Sequence, residues 1–249
     1  MAKFVLKGVR LFSGGVDLTS NTNKVELKTE IEEKDATAFN PLSTTAVWTE
    51  LLGGLASSSA DGEGQWEAGD PGKVDDATWA ARGGVGALTV CPAGANVGDL
   101  AWVTQALTGS YSLGGQVGDV APWSASWAGS WPLVRGQILH PPGTPRTASG
   151  NGTSRQLGAL SASQALYVVL HVLSATGTTP SVTVVVESDD TSGMATPTTR
   201  ATFTAATASC GQAVKVAGPV TDDWWRIKWT VSGTTPSFLL VAAAGIGPA

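Results

Sequence analysis

Residues 122–131 read PWSASWAGSW, with a tryptophan at every fourth position. That spacing lines one face of a helix and equally one face of a strand, because four is a multiple of two. The intervening residues decide between them. Pro122 and Pro132 bracket the run, Gly129 interrupts it, and the fillers are Ser and Ala with no strong helix former among them. As a strand, the run places Trp123, Ala125, Trp127, Gly129, Trp131 and Leu133 on one side and Ser124, Ser126, Ala128 and Ser130 on the other. Large apolar groups on one face and small polar ones on the other mark a sheet with one covered and one wet face. Burying one indole is worth about 4–6 kcal/mol, from about 150–250 Å2 at about 25 cal/mol/Å2. Trp123, Trp127 and Trp131 are therefore read as core or subunit interface. A sugar-stacking platform would set Asn, Asp, Gln or His beside the rings, and here the companions are Ala125, Gly129 and Leu133.

The totals agree with a β-rich globular chain. The 249 residues are 42% hydrophobic, with 31 Gly and 13 Pro among many Thr, Ser and Val. Only 14% are charged, against about 25% in most soluble domains, so much of this surface is expected to be covered by partners. No apolar run is long enough to span a membrane, and the N-terminus MAKFVLKGVRLFSGG is too short and too charged for a signal peptide. Cys91 and Cys210, far apart in the chain, are read as two free thiols, with a disulfide between them as the alternative, in a protein made in a reducing cytoplasm. The net charge of -5 sits in the first part: residues 1–145 hold 15 acids and 9 bases, residues 146–249 hold 5 and 6. A sequence-reading nucleic-acid protein should instead be basic.

Along the chain, residues 24–33 alternate, with Val25, Leu27, Thr29 and Ile31 on one face and Glu26, Lys28, Glu30 and Glu32 on the other. Residues 55–67 (LASSSADGEGQWE) alternate weakly and can pair back with them, leaving 34–47 as a long loop of the kind that usually has work to do. Residues 75–82 form the one expected short helix, with acids at its start, Arg82 at its end and Gly83-Gly84 as a stop. The stretch 140–158, rich in Pro, Gly, Ser and Thr, is read as a long loop or an interdomain linker, the linker taken as 146–158. Beyond them 166–173 (LYVVLHVL), 181–187, 200–206, 213–217, 224–231 and 238–243 all read as strands. In WWRIKWTV, Trp225, Ile227, Trp229 and Val231 face inward. TGTTPS at 176–181 recurs as SGTTPS at 232–237, and both are expected as hairpin turns of one antiparallel sandwich.

Chemistry is sparse. The two histidines, His140 and His171, have no Cys or His partners at metal spacing, and neither a nucleophile-elbow nor a phosphate-loop motif occurs. Asp75-Asp76, Asp189-Asp190 and Asp222-Asp223 sit where turns and helix starts want Asp. The segment DDTSG at 189–193 is a weak calcium candidate. The sequence carries no enzyme signature.

Several segments occur together in one order: FVLKGVRLFSGGVDLTSNTNKVEL, EIEEKDATAF with its loop, DGEGQWEAG, DDATWAARGG, LTVCPAG, GDLAWVTQALTGSYSLGGQVGDVAPW and PLVRGQIL. In content and spacing this order resembles the major tail proteins, or tail tube proteins, of long non-contractile-tailed bacteriophages, over more than half of the chain. The resemblance implies a mainly β fold: a tail-tube-type β-barrel or sandwich with one short helix over 1–145, then a C-terminal antiparallel β-sandwich, jelly-roll or Ig-like, over 159–249 on the tube exterior. It implies hexameric rings stacked into a virion tube, other tail proteins at the tube ends, transient passage of double-stranded DNA, no cofactor and no membrane. It implies an inter-ring loop, here Lys34, Asp35, Phe39, Asn40, Pro41 and Trp48, and a lumen. Glu26, Glu30 and Glu32 are the candidate luminal acids, and Trp225 and Trp229 join the three earlier indoles as core or interface. Two other readings share the texture: a capsid decoration or other virion structural protein, and a carbohydrate-binding protein.

Overall fold

The run LYVVLHVL organises the molecule. It has no alternation, and a strand without alternation is covered on both faces. In the computed structural model, which describes residues 6–38, 48–69 and 73–249, residues 165–172 are all buried. The described strands are β1 (Arg10–Ser13), β2 (Val16–Asp17), β3 (Thr22–Asp35), β4 (Leu51–Gln65), β5 (Val85–Cys91), β6 (Leu100–Leu113), β7 (Pro122–Gly129), β8 (Val134–His140), β9 (Gly150–Asn151), β10 (Arg155–Gln156), β11 (Gln164–Asp189), β12 (Thr198–Thr202), β13 (Cys210–Ala217) and β14 (Trp224–Pro248). The α-helix α1 (Val74–Ala81) lies between β4 and β5. The protein is mainly β, in one antiparallel 14-stranded sheet, with a short helix where Asp75 and Asp76 favour a helix start.

The two TGTTPS-type motifs are not hairpin turns. Residues 164–189 form one continuous strand, as do 224–248, and the two strands pair along their whole length. The motifs lie opposite each other, Thr176 across from Ser237, Thr178 from Thr234 and Ser181 from Ser232, and the register slips within them. Each supplies a glycine at positive φ (Gly177 at 121°, Gly233 at 114°) and a threonine in the left-handed region (Thr179 at 48°, Thr235 at 47°). The paired bulges bend the ribbon, and bends of this kind carry strands from one sheet layer to another. Val168, Leu170 and Val172 before the bend thus share a core with Val182, Val184 and Val186 beyond it, and with Trp225, Ile227 and Trp229.

The other face of the same ribbon serves a second core. Ala165, Tyr167, Val169, Val241 and Ala243 pack with Phe12, Cys91, Val103, Val134 and Ile138. The strands around this core run β13-β11-β14-β8-β6-β5-β1 and curl back on themselves. A Cβ added to Gly15, whose φ is +93°, would sit 2.4 Å from the carbonyl carbon of Cys210, so only glycine allows this close approach. The two parts of the chain therefore share one sheet and one core. Residues 146–158, expected as a linker, are strapped to β14 instead: Gly150 and Asn151 pair with Trp229 and Lys228, and Arg155 and Gln156 with Trp225 and Trp224. The Trp225 indole N–H donates to the Gly158 carbonyl at 2.9 Å and that of Trp229 to the Ala148 carbonyl at 3.0 Å.

A third core lies under the sheet β3-β4-β7-β6 and includes Leu11, Leu88, Val90, Ala125, Trp123 and Trp127. Strand β7 alternates in burial between tryptophan and serine faces. Trp131 leaves the row. The N–H groups of Ser130 and Trp131 both donate to the Gln105 carbonyl, which turns the chain, and the Trp131 ring packs on Tyr167 with centroids 5.4 Å apart.

On the outer face of the ribbon Arg226 lies across from Glu187, as its outward register requires, yet the carboxylate beneath it is 3% exposed. Arg226 reaches Oε2 with Nε at 2.8 Å and Nη2 at 2.7 Å. Lys228 adds its Nζ at 3.6 Å from Oε1. Removing Arg226 leaves the buried carboxylate with that half-exposed lysine alone, and losing hydrogen bonds to a buried charged group costs about 1–3 kcal/mol. Arg226→Met is expected to lower unfolding stability by that order in a denaturant titration. A cost near that of an ordinary surface change, about 0.5 kcal/mol, would contradict the assignment.

Candidate assembly surface

Strands β3 and β4 pair from Thr22 and Gly64 out to Asp35 and Leu51. Near the body they are a wall: Val25 and Leu27 are half-buried over the third core and Ala60 is 2% exposed. Past Leu27 the covering ends. Ile31 is 66% exposed, Leu51 54%, Leu52 56%, Leu55 81% and Trp48 88%. The outer half of the ribbon is thus a two-stranded arm with bare aliphatic side chains. Two strands alone are marginal in water, and packing is what stabilises them. Pairing runs further out than the sequence pattern placed it, so Lys34 and Asp35 end β3 rather than open a loop. Asp35 accepts the Thr37 N–H at 2.8 Å, and the Glu50 N–H donates to the Thr37 hydroxyl at 2.8 Å, which carries the order past the last rung. Phe39, Asn40 and Pro41 lie outside the described residues.

Glu26, Glu30 and Glu32 alternate with Val25, Leu27 and Ile31 and face solvent. Lysines answer part of this charge: Lys24 meets Glu63 at 2.8 Å, Lys28 meets Glu30 at 2.6 Å, and Lys34 pairs with Glu32. The hydrogen bonds to Glu63 and Glu30, and then their charge, raise the Lys24 and Lys28 pKa values. Glu26 stands directly across from Asp61, an arrangement that like charges alone disfavour. Asp61 in turn neighbours Ser126, and Glu63 neighbours Ser124, so the wet face of the sheet is acidic and hydroxyl-lined. Trp123, Trp127, Trp225 and Trp229 are buried at 1%, 2%, 0% and 4% exposure, which leaves none of these four rings bare for sugar stacking.

A groove opens where β3 begins. Leu6, Val9, Val25, Leu27, Val90 and Trp102 line a cavity of about 370 Å3. Trp102 lies between Val90 and Arg135 in cross-strand register, so the three share one face of β5-β6-β8. Arg135 is exposed and makes no side-chain hydrogen bond or ion pair with another described residue. Neither the arm leucines nor Arg135 stood out in the sequence. LLGGL at 51–55 was readable as an apolar cluster with no apolar strand to face, whereas nothing in PLVRGQIL marks its arginine.

The paired aspartates are held by their own neighbourhoods. Asp75 accepts from Tyr111 and Trp66, and Asp222 from Ser188 and Arg200. Asp189, in the calcium-candidate segment, accepts from Thr191 and Thr196. Among the described residues no three His, Cys, Asp or Glu side chains gather as a metal site, and no helix is long and apolar enough to cross a membrane. Cys91 and Cys210 are free, and burial pushes the Cys91 thiol up to about 12.

His171 is fully buried where the second core closes. The Gly15 N–H donates to its Nδ1 at 3.3 Å, so Nε2 carries the proton that it gives to the Thr89 hydroxyl at 2.9 Å. Burial lowers its pKa to about 3; burial and then the Arg146 charge lower that of His140 to about 4. Both are neutral in the fold and take up protons on unfolding once the pH drops below the ordinary histidine value of about 6.5. Their contribution is complete above that pH and is lost as the pH falls from there toward 4, at about 1.4 kcal/mol per pH unit for each. Melting temperatures are expected to hold level from pH 8 to 7 and to fall steadily from 6.5 to 5; a level profile through that window would contradict it.

No family model and no curated protein matches the chain. Among solved structures it is similar to a chain of the virion of a native gene transfer agent particle, 20% identical over 49% of this chain and 92% of that one, with a TM-score of 0.38. It is similar to a chain in the tail of an empty gene transfer agent particle refined helically with C6 symmetry, 20% identical over 50% of this chain and 91% of that one, TM-score 0.37. It is also similar to the SPP1 Dit protein, described as a paradigm of the hub adsorption apparatus in phages infecting Gram-positive bacteria, 10% identical over 97% of this chain and 100% of that one, TM-score 0.36. TM-scores this low leave the fold and function of this chain to be argued from its own residues.

Proposed function

We propose that the protein is a structural subunit of a phage-type virion tail. It acts by polymerising into hexameric rings that stack as a tail tube, and it is made in the host cytoplasm. The observation that carries this reading is the arm: a two-stranded ribbon holding Ile31, Leu51, Leu52 and Leu55 in water, which only a partner can cover. The ordered segments of the first 145 residues supply the identity of the assembly, and the 14% charged content suits a chain covered by its own copies. In this reading the barrel strands build the tube wall, and the sandwich around Trp225 and Trp229 stands on its exterior. The acidic and serine-lined face bearing Glu26, Glu30 and Glu32 lines the channel, where like charge repels the phosphates of passing DNA and keeps it from sticking. Other tail proteins close the ends of the tube. A cryo-EM reconstruction of the assembled protein tests this: Glu26, Glu30 and Glu32 are expected on the lumen and the arm between rings. A tube with these acids on its outer surface would overturn the channel assignment, and a closed knob or capsid-bound trimer would overturn the tube.

A further inference from the structure

We infer that the groove under the free edge of β3 receives the arm of a second copy of this chain; the inference rests on the assembly reading above. Among the described residues β3 pairs only with β4, so its other edge offers backbone groups that no described strand pairs, beside the groove. The floor is apolar, from Leu6, Val25, Leu27, Val90 and Trp102, and at its far side Trp102 is followed in register by Arg135. The layer formed by β3, β4 and β7 buries Leu88 and Val90 but stops short of Arg135. The groove thus presents aliphatic and indole surface with Lys24, paired to Glu63, at its β3 rim, and the Arg135 guanidinium, without a counter-ion among the described residues, stands next to its Trp102 wall.

The arm presents the complementary set. Leu51, Leu52 and Leu55 are bare, and carboxylates stand among them: Asp35 lies across from Leu51, Glu33 across from Gly53, and Glu50 precedes the strand. Residues 28–35 and 50–55 carry five acids and two lysines. Apolar side chains with adjacent carboxylates fit an apolar trough with an unpaired arginine, and a misfitting partner would leave that charge unanswered. Donor and receiver are different surfaces of one chain, so each copy gives an arm and receives one. Such head-to-tail contacts close into rings or continue as stacks, the two arrangements a tube requires.

The test uses full-length chains with Cys210→Ser as background, since Cys91 is buried. Chains carrying Leu55→Cys are mixed with chains carrying Leu6→Cys; both positions are exposed, at 81% and 61%, so folding is unaffected. Oxidation of the mixture under assembly conditions is expected to give a disulfide-linked two-chain product that neither variant forms alone to the same extent. In parallel, Arg135→Glu is expected to raise the concentration needed for assembly by tenfold or more, and Glu50→Arg in the same chain to recover part of that loss. Wild-type tubes without the mixed product, or normal assembly of Arg135→Glu, would overturn the groove as the seat while leaving the tail assignment standing. If the mixed product fails to form and the groove cross-links instead to a different virion protein, the occupant is that protein and the inference falls. If the wild type does not assemble at all, both readings fall together.

Discussion

A chain carrying Ile31→Ser, Leu52→Ser and Leu55→Ser is expected to fold, to melt within a few degrees of the wild type, and to form no tubes. The three side chains are 66%, 56% and 81% exposed, so in the isolated chain their removal uncovers little. Surface substitutions of this kind usually move stability by about 0.5 kcal/mol or less each. In an assembly the same side chains become buried, and each is then worth about 1.5–3 kcal/mol. Losing three of them at every contact removes roughly 5–9 kcal/mol, which is on the order of a thousandfold or more in association. Sedimentation velocity with negative-stain microscopy reads the assembly, and a thermal melt reads the fold. Tubes of normal length from the triple variant would remove the arm from the account; loss of the cooperative melt would make it part of the core.

The fragment 1–145 is expected not to fold by itself. It retains Phe12, Cys91, Val103, Val134 and Ile138 but loses Ala165, Tyr167, Val169, Val241 and Ala243, which cover them. It loses the β14 rungs opposite Gln137, Ile138 and His140, and it loses His171, which holds Gly15 and Thr89. Two valines and a tyrosine at about 1.5–3 kcal/mol each already match much of the roughly 5–15 kcal/mol by which a domain is stable. The near-UV circular dichroism of the fragment is expected to be flat and its melt non-cooperative. A soluble fragment with a sharp melting transition would show that the shared core is dispensable.

Much of the fold was legible because alternation is a local property. Val25, Leu27 and Ile31 against Glu26, Glu30 and Glu32 showed both faces of β3, and PWSASWAGSW showed those of β7. What escaped depends on partners far along the chain. TGTTPS has the composition of a hairpin turn, and only pairing with its own near-copy 56 residues later makes it a bend in a longer ribbon. The linker composition of 146–158 hid two short strands because their partners, Trp224–Trp225 and Lys228–Trp229, are some seventy residues away. LYVVLHVL was legible as a strand; that a second core lay on its other face was a tertiary fact. The candidate site divides in the same way, with the acids of β3 visible from alternation and the groove, made of β3, β5 and β6 with Arg135 next to its Trp102 wall, visible only once those strands are stacked.

The central claim is that copies of this chain join one another through surfaces the single chain leaves bare. The most direct measurement is negative-stain electron microscopy of the purified full-length protein, concentrated at neutral pH and moderate salt. The account predicts hollow tubes of uniform width or their stacked-ring precursors. A preparation that stays single-copy at every concentration, with the arm intact and the fold confirmed by a cooperative melt, would contradict it.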